Sequence, residues 1–398
     1  SADARKSSMM NLIRELKDFL VFFLRTAEKE KKIVFYAEDA SYYIYFEGLV
    51  ERLTTVEDVK ISYITSDISD PILYAQKKNV QSFYIKYLLE PFVLLLKAKM
   101  LIVTMPDLNL FHIKRSKGVA NHVYLFHTVG SFFHINRHHG LFYYDTIFCV
   151  GPHHIKELRR EEELYGREPR TLVEFGYYRL EKIRREYLRY LTEGRKGKAK
   201  NGCKAIIFIA PGGGLWKRRE TLLDLCGNDL VRALLKSHYE VVLRPHPLTK
   251  KERPDLLDAL LQEFGNNSRF SLDTDAASTS SFFDADIMIG DWSGVTYEFA
   301  FATEKPVIYV DVPMKVNNPH WKDFDMDPID INIRNRLGVI IQPDQVGDID
   351  AIIKKILSQG EKYAHEIQKA REEYIYNFGA SSETGASYIK DFCARFTL

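Results

Sequence analysis

The sequence has only four cysteines in 398 residues, and none forms a CxxC pair. Cys149, Cys203, Cys226 and Cys393 are too dispersed for a zinc knuckle or a thioredoxin-type motif. Scattered thiols fit a reducing compartment. Charge of one sign is equally scarce: 56 Lys plus Arg against 54 Asp plus Glu leave a formal charge of +2. A dedicated nucleic-acid binder would carry a larger basic excess, so no nucleic-acid partner is expected. The longest uncharged run, 119–136, has the length of a membrane span but contains three histidines with Asn, Ser and Gly. There is no internal repeat, no GxGxxG and no GKS/T loop ending, which removes the fingerprints of dinucleotide dehydrogenases and P-loop kinases. The charged residues 1–8 lack an initiator Met and read as a junction, so the absence of a leader is not scored.

What is present suits a two-domain globular chain: 45% apolar and 28% charged residues over this length. Residues 9–32 mix Leu12, Ile13, Leu16, Phe19, Leu20, Phe22, Phe23 and Leu24 with Arg14, Lys17, Arg25 and a basic cluster at 29–32. That pattern predicts an amphipathic helix able to lie on an anionic membrane surface, or else one packed on the first domain. Aromatics make up 13% of the chain but are dispersed, so they point to no function.

Apolar runs then alternate with helical patterns. Strands are expected at 33–37, 59–65, 100–105, 122–127, 146–150 and 172–175, with helices at 41–53 and 152–165. The stretch 192–202 holds three glycines and four cations with no apolar residue but Ala, and reads as a linker. After it the pattern restarts, with strands at 205–210, 239–244, 269–272, 286–289 and 306–310. Helices are expected at 219–237, 250–264, 294–302, 349–357, 361–378 and 387–395. Such alternation implies parallel sheets covered on both faces. The expected organisation is a first α/β domain over 1–192, a linker at 193–203 and a second α/β domain over 204–380. A terminal segment, 381–398, would pack back on the first domain. Two doubly wound halves form a cleft between the carboxyl ends of their strands, where ligands bind.

Four places follow strands closely enough to serve that cleft. Arg244-Pro245-His246-Pro247 presents a guanidinium fork and an imidazole in a loop stiffened by two prolines, suited to phosphate oxygens and proton transfer. Asp291 and Ser293 are cap-type residues before a helix; the amides of Gly294, Val295 and Thr296, with the Ser293 and Thr296 hydroxyls, would form an anion site. His127, at the end of the fourth strand, reads as the only titratable group directly following a convincing strand in the first half, and suits a general base. Gly212, Gly213 and Gly214, followed by Lys217, Arg218 and Arg219, would let a phosphate or sugar approach the backbone. His134, His138, His139, His153 and His154 are read as surface or cleft histidines rather than metal ligands, because the i, i+4 pair lacks the Glu of HExxH.

Residues 286–311, DIMIGDWSGVTYEFAFATEKPVIYVD, resemble the CDP-glycerol glycerophosphotransferase family of teichoic acid and capsule synthesis. Asp291, Ser293, Glu298, Lys305 and Pro306 match its pattern, whereas Trp292 and Gly294 replace a Tyr and a second Ser. Arg244 and His246 match its Arg-x-His loop, and His127-Thr128 stands where it has His-Gly-Thr. EFGYYR at 174–179 is similar to its Gly-Tyr-Pro-Arg stretch, keeping Gly176, Tyr177 and Arg179. Ala210-Pro211 aligns with a further block, from which Gly212 to Gly214 depart. The resemblance spans roughly residues 123–311.

It implies a GT-B-like pair of Rossmann-like domains and a bacterial transferase at the cytoplasmic face of the membrane, with an acceptor-side first domain and a donor-binding second one. It further implies transfer of an alditol phosphate, such as glycerol phosphate, from a CDP-activated donor to a lipid-linked glycan hydroxyl. His127 and His246 would be the catalytic pair. Arg244, the amides from Ser293 to Thr296, Asp291, Glu298, Arg179 and the glycines would serve the donor. No cofactor is required, with Mg²⁺ left open. The alternatives are a GT-B glycosyltransferase using a UDP- or CMP-activated sugar, a nucleotide-sugar 2-epimerase, and a non-catalytic membrane-associated assembly protein.

Overall fold

The computed structural model describes residues 2–111, 113–194, 199–200, 202–213, 220–275 and 278–395. Seven parallel strands build the first sheet: β1 (Ile33–Ala37), β2 (Ile61–Thr65), β3 (Val80–Tyr84), β4 (Ala98–Val103), β5 (Val119–Leu125), β6 (Thr146–Cys149) and β7 (Thr171–Glu174). Their order is β3-β2-β1-β4-β5-β6-β7. Its helices are α1 (Ala2–Leu24), α2 (Glu28–Lys31), α3 (Tyr43–Glu51), α4 (Leu89–Leu95), α5 (Pro152–Tyr165) and α6 (Tyr178–Thr192). The second sheet comprises β8 (Ile206–Ala210), β9 (Glu240–Leu243), β10 (Phe270–Leu272), β11 (Ile287–Gly290), β12 (Val307–Val310) and β13 (Gly338–Ile341), in order β10-β9-β8-β11-β12-β13. Between and after its strands come, in chain order, α7 (Leu222–Lys236), α8 (Pro247–Glu252), α9 (Pro254–Phe264), α10 (Val295–Thr303), α11 (Ile329–Leu337), α12 (Ile349–Leu357) and α13 (Gly360–Tyr374), with α14 (Ser381–Arg395) at the far end of the chain. The expected α/β class, two doubly wound sheets, is the observed one.

The inner strands are largely apolar because helices cover both faces: β1, β2, β4, β6, β8, β11 and β12 are buried at every position. The strand order reverses between β8 and β11 in the second sheet and between β1 and β4 in the first. These switch points open crevices at the carboxyl ends. Register pairs Ala210 with Gly290, so the glycine loop and the Asp291 turn start side by side.

Several boundaries differ from expectation. The single helix expected at 250–264 is two, broken at Arg253 where Pro254 opens α9. Strand β3 was not anticipated, since only Phe83 and Tyr84 are buried on this edge strand. Helices α4, α6 and α11 and strand β13 were also missed. The step from α11 to β13 has no turn residues; it depends on Gly338, where a Cβ would lie 1.7 Å from the Val307 carbonyl oxygen. Part of the expected linker, 195–198 and 201, lies outside the described residues, as do Gly214, Lys217, Arg218 and Arg219. At its far end the chain returns: α14 packs on α3 and β7, placing Ala386 and Ile389 in the core beneath the first sheet.

Helix α1 packs on the sheet edge. Phe22 is fully buried, 5.3 Å from the Phe83 ring and 4.7 Å from that of Phe92. The Asp18 carboxylate accepts the Tyr84 amide at 2.9 Å, while Glu15 accepts those of Lys86 and Leu88 at 2.6 and 2.7 Å. These carboxylates satisfy backbone groups that helix burial would otherwise orphan. Among the described residues, no helix is long and apolar enough to cross a membrane. Phe22→Ala should lower unfolding free energy by about 3–5 kcal/mol, read by chemical denaturation. Limited proteolysis should then cut near residue 25 earlier than in the parent chain.

Candidate active site

The carboxyl ends of β5, β8, β9 and β11 converge on a cleft of about 230 Å³ between the two sheets. His127, Thr128, Tyr177 and Arg179 line it from the first half, and Arg244, His246, Ser293, Gly294, Val295 and Glu298 from the second. The halves approach closely: a Cβ at Gly294 would sit 3.8 Å from Thr128 Oγ1.

His127 lies among aromatic rings, 5.9 Å from Tyr42 and 5.6 Å from Tyr45, with the Tyr124 hydroxyl 3.5 Å from Nδ1. Burial pushes its pKa down to about 4, against a hydrogen bond to the Thr104 backbone. At neutral pH it is an uncharged imidazole able to receive a proton. His127 is not alone in following a strand of the first half: Glu38 and Asp39 directly follow β1, so that expectation is corrected.

Across the cleft, His246 caps α8, its Nδ1 accepting the Leu248 amide at 3.1 Å. The neutral ring therefore carries its proton on Nε2, free to donate. Burial, helped by nearby Lys315, lowers its pKa to about 4. Gly213 packs against this ring; a Cβ there would meet His246 Nδ1 at 2.7 Å. The glycine thus makes room for a protein side chain, which was not anticipated.

Arg244 is 8% exposed. Its Nε and Nη2 donate to Asp273 at 3.0 and 2.6 Å, and Nη2 also donates to Ser281. Burial raises the Asp273 pKa, but the bonds from Ser281 and Arg244 outweigh it and hold it below the usual value. The guanidinium is thereby fixed over the Phe208 ring, with Nη1 left as a donor among the described residues.

Two expected donor contacts turn away from the cleft. Asp291 is 3% exposed, and its oxygens accept the Gly212 amide at 2.6 Å and the Leu222 amide at 3.0 Å. It braces the glycine turn and the start of α7, and a Cβ at Gly212 would come within 2.7 Å of its Oδ1. Thr296 is buried; its amide and hydroxyl both bond the Ser293 carbonyl, at 3.1 and 2.7 Å. Helix α10 is capped by Gly294 without a side-chain bond. Of the residues expected to form an anion site at its start, only Ser293, Gly294 and Val295 line the cleft.

Glu298 and Arg179 meet each other. Arg179 Nε donates to Glu298 at 2.6 Å, with the two side chains 14% and 8% exposed. Burial opposes the Arg179 charge, but Glu298 outweighs it and raises the pKa. The Tyr177 hydroxyl stands 3.0 Å from Glu298 and 3.1 Å from the His127 carbonyl oxygen, so this cluster also touches the loop that carries His127.

The histidine cluster is corrected too. His153 and His154 are neither surface nor cleft residues: they are buried, with Nε2 at 2.7 Å from the Val129 carbonyl and 2.9 Å from that of Gly130. The segment carrying His134 and His138 is not helical, so no i, i+4 helix face exists there. Among the described residues, no group of three or more His, Cys, Asp or Glu could hold a metal. Lys315 was missed: it follows β12 in no recognisable motif. Burial lowers its pKa, partly offset by Asp291.

The two sheets and the cleft at their carboxyl ends define the GT-B fold. A family model described as CDP-Glycerol:Poly(glycerophosphate) glycerophosphotransferase matches residues 162–383, more than half of the chain. The protein belongs to that family and is a CDP-glycerol-dependent transferase, as the motif resemblance implied. Among solved structures, the wall teichoic acid polymerase TagF is similar at 15% identity and a TM-score of 0.58, covering 99% of this chain and 97% of that one. MnaA from S. aureus, solved with UDP, is similar at 14% identity and a TM-score of 0.57, covering 92% and 98%. A glycosyltransferase from Rickettsia africae is similar at 12% identity and a TM-score of 0.53, covering 93% and 100%. At these identities the likeness concerns the fold. No curated protein sequence matches the chain.

Four buried or half-buried histidines contribute to the acid stability. His127, His153 and His246 hold pKa values of about 4, and His154 lies well below its usual value. Below pH 6.5 the unfolded chain binds protons that the folded state refuses, so these groups make stability fall with pH down to about 4. His153→Gln removes one of these contributions, so its melting temperature should fall less between pH 7 and 4 than that of the parent chain.

Proposed function

We propose that the protein transfers glycerol phosphate, or a related alditol phosphate, from a CDP-activated donor to a hydroxyl of a membrane-linked glycan in cell-surface polymer synthesis. The observation that carries this reading is the placement of an uncharged His127 across one cleft from Arg244, His246 and the start of α10. In this reading His127 removes the acceptor hydroxyl's proton. The acceptor oxygen bonds to the glycerol-bearing phosphorus as the bond from that phosphorus to the bridging oxygen breaks, and CMP leaves with the electron pair. His246 Nε2–H, Arg244 Nη1–H and the amides of Gly294 and Val295 offset the leaving charge. These are anion-binding donors, and no step draws on a metal or cofactor.

The membrane side of the proposal rests on α1. Met9, Leu12, Ile13, Leu16, Leu20 and Leu24 lie at helical spacing on the face opposite Phe22 and Glu15 and are 47–76% exposed. Lys17 and Arg25 flank this stripe. An apolar helix face with basic flanks suits peripheral docking on an anionic leaflet, which would bring the cleft to a lipid-linked acceptor.

Titration with CDP-glycerol, CDP-ribitol, CMP-Kdo, CMP, UDP-GlcNAc and UDP tests the donor. CDP-glycerol should raise the melting temperature most, and a response confined to uridine compounds would favour sugar transfer instead. Arg244→Ala should weaken CDP-glycerol binding roughly 10–100-fold, and His127→Ala should slow turnover about 10²–10⁴-fold. Replacing Leu16 and Leu20 together with Asp should abolish sedimentation with phosphatidylglycerol vesicles while leaving the melting temperature unchanged, since both positions are exposed.

A further inference from the structure

The loop after β5, residues 128–131, is held from two sides. From α5, His153 and His154 engage the Val129 and Gly130 carbonyls, and Glu157 accepts the Phe132 amide at 3.2 Å and the Ser131 hydroxyl at 2.5 Å. From α11, Asp330 Oδ2 accepts the Ser131 amide at 2.9 Å, and the neighbouring Ile329 amide donates to Ser131 Oγ at 2.8 Å. The other oxygen of Asp330 accepts the Tyr297 hydroxyl at 2.7 Å, on the helix whose start faces the cleft. Gly130 permits this approach, since a Cβ there would lie 2.5 Å from Asp330 Oδ1.

We infer that Asp330 is a positioning residue, which sets His127 relative to the donor by joining the loop that carries it to α10. The inference rests on the reading of His127 as the base. Asp330 does not line the cleft, so it acts through the loop. One carboxylate bonded both to the base loop and to the donor helix fixes the distance between the two reacting partners. A displacement of about 1 Å in such a relation costs on the order of a hundredfold in rate.

The experiment measures CMP release from CDP-glycerol with a synthetic lipid-linked glycerol phosphate acceptor. Asp330→Ala should lower kcat roughly 10–100-fold while calorimetric CDP-glycerol affinity stays within about twofold. Asp330→Asn should recover part of the loss, because its amide oxygen still accepts from Ser131. Tyr297→Phe, which removes one anchor and leaves the loop bonds intact, should give a smaller loss and serves if Asp330→Ala fails to fold. In a His127→Ala background, Asp330→Ala should cause no further loss, as expected when one residue acts through the other. Wild-type kcat in Asp330→Ala beside an inactive His127→Ala would overturn the positioning role alone. So would losses that multiply, or donor affinity falling in step with kcat. Full turnover in His127→Ala would overturn the base assignment and the positioning role together.

Discussion

The Arg179–Glu298 ion pair is the contact on which the geometry of the cleft depends. It joins the start of α6, in the first half, to the middle of the first turns of α10, in the second, at 2.6 Å. Neither charge could be enclosed there alone. Removing one partner of a buried pair typically destabilises by about 3–5 kcal/mol, because the other is left without water or counter-charge. Tyr177 extends the pair to the His127 carbonyl, so one cluster links the two halves and touches the loop that carries His127.

The same requirement governs the rest of the cleft. Arg244 is balanced by Asp273, and Lys315 has Asp291 nearby. Paired cations hold fixed directions, so the cleft presents oriented hydrogen-bond donors rather than loose charge. His127 and His246 are kept uncharged by burial, which leaves one able to take a proton and the other able to donate a hydrogen bond. The chemistry comes from orientation and desolvation, consistent with an overall charge of only +2.

Much of this was legible along the chain. Runs such as 33–37, 146–149 and 206–210 announce buried parallel strands, because a sheet covered on both faces has no polar side to alternate. The residues just past those strands then mark the cleft, which is how His127, Arg244, His246, Ser293 and Gly294 could be found. Edge strand β3 escaped because it buries only Phe83 and Tyr84, and β13 because close approach at Gly338, rather than a turn, ends α11. Asp291 and Thr296 were misjudged for a related reason: a cap-type residue after a strand has the same sequence signal whether it faces a ligand or the backbone beside it.

The sequence by itself determined the class of fold, the division into two strand–helix series and the family, since periodicity and motif order are local properties of the chain. Only the tertiary structure decided which charges are spent on each other. Arg179 with Glu298, Arg244 with Asp273, Asp291 with the Gly212 amide and Asp330 with Ser131 are separated by 119, 29, 79 and 199 residues. No local pattern encodes such pairings. They arise because burial removes water from each group and leaves a distant residue as its partner.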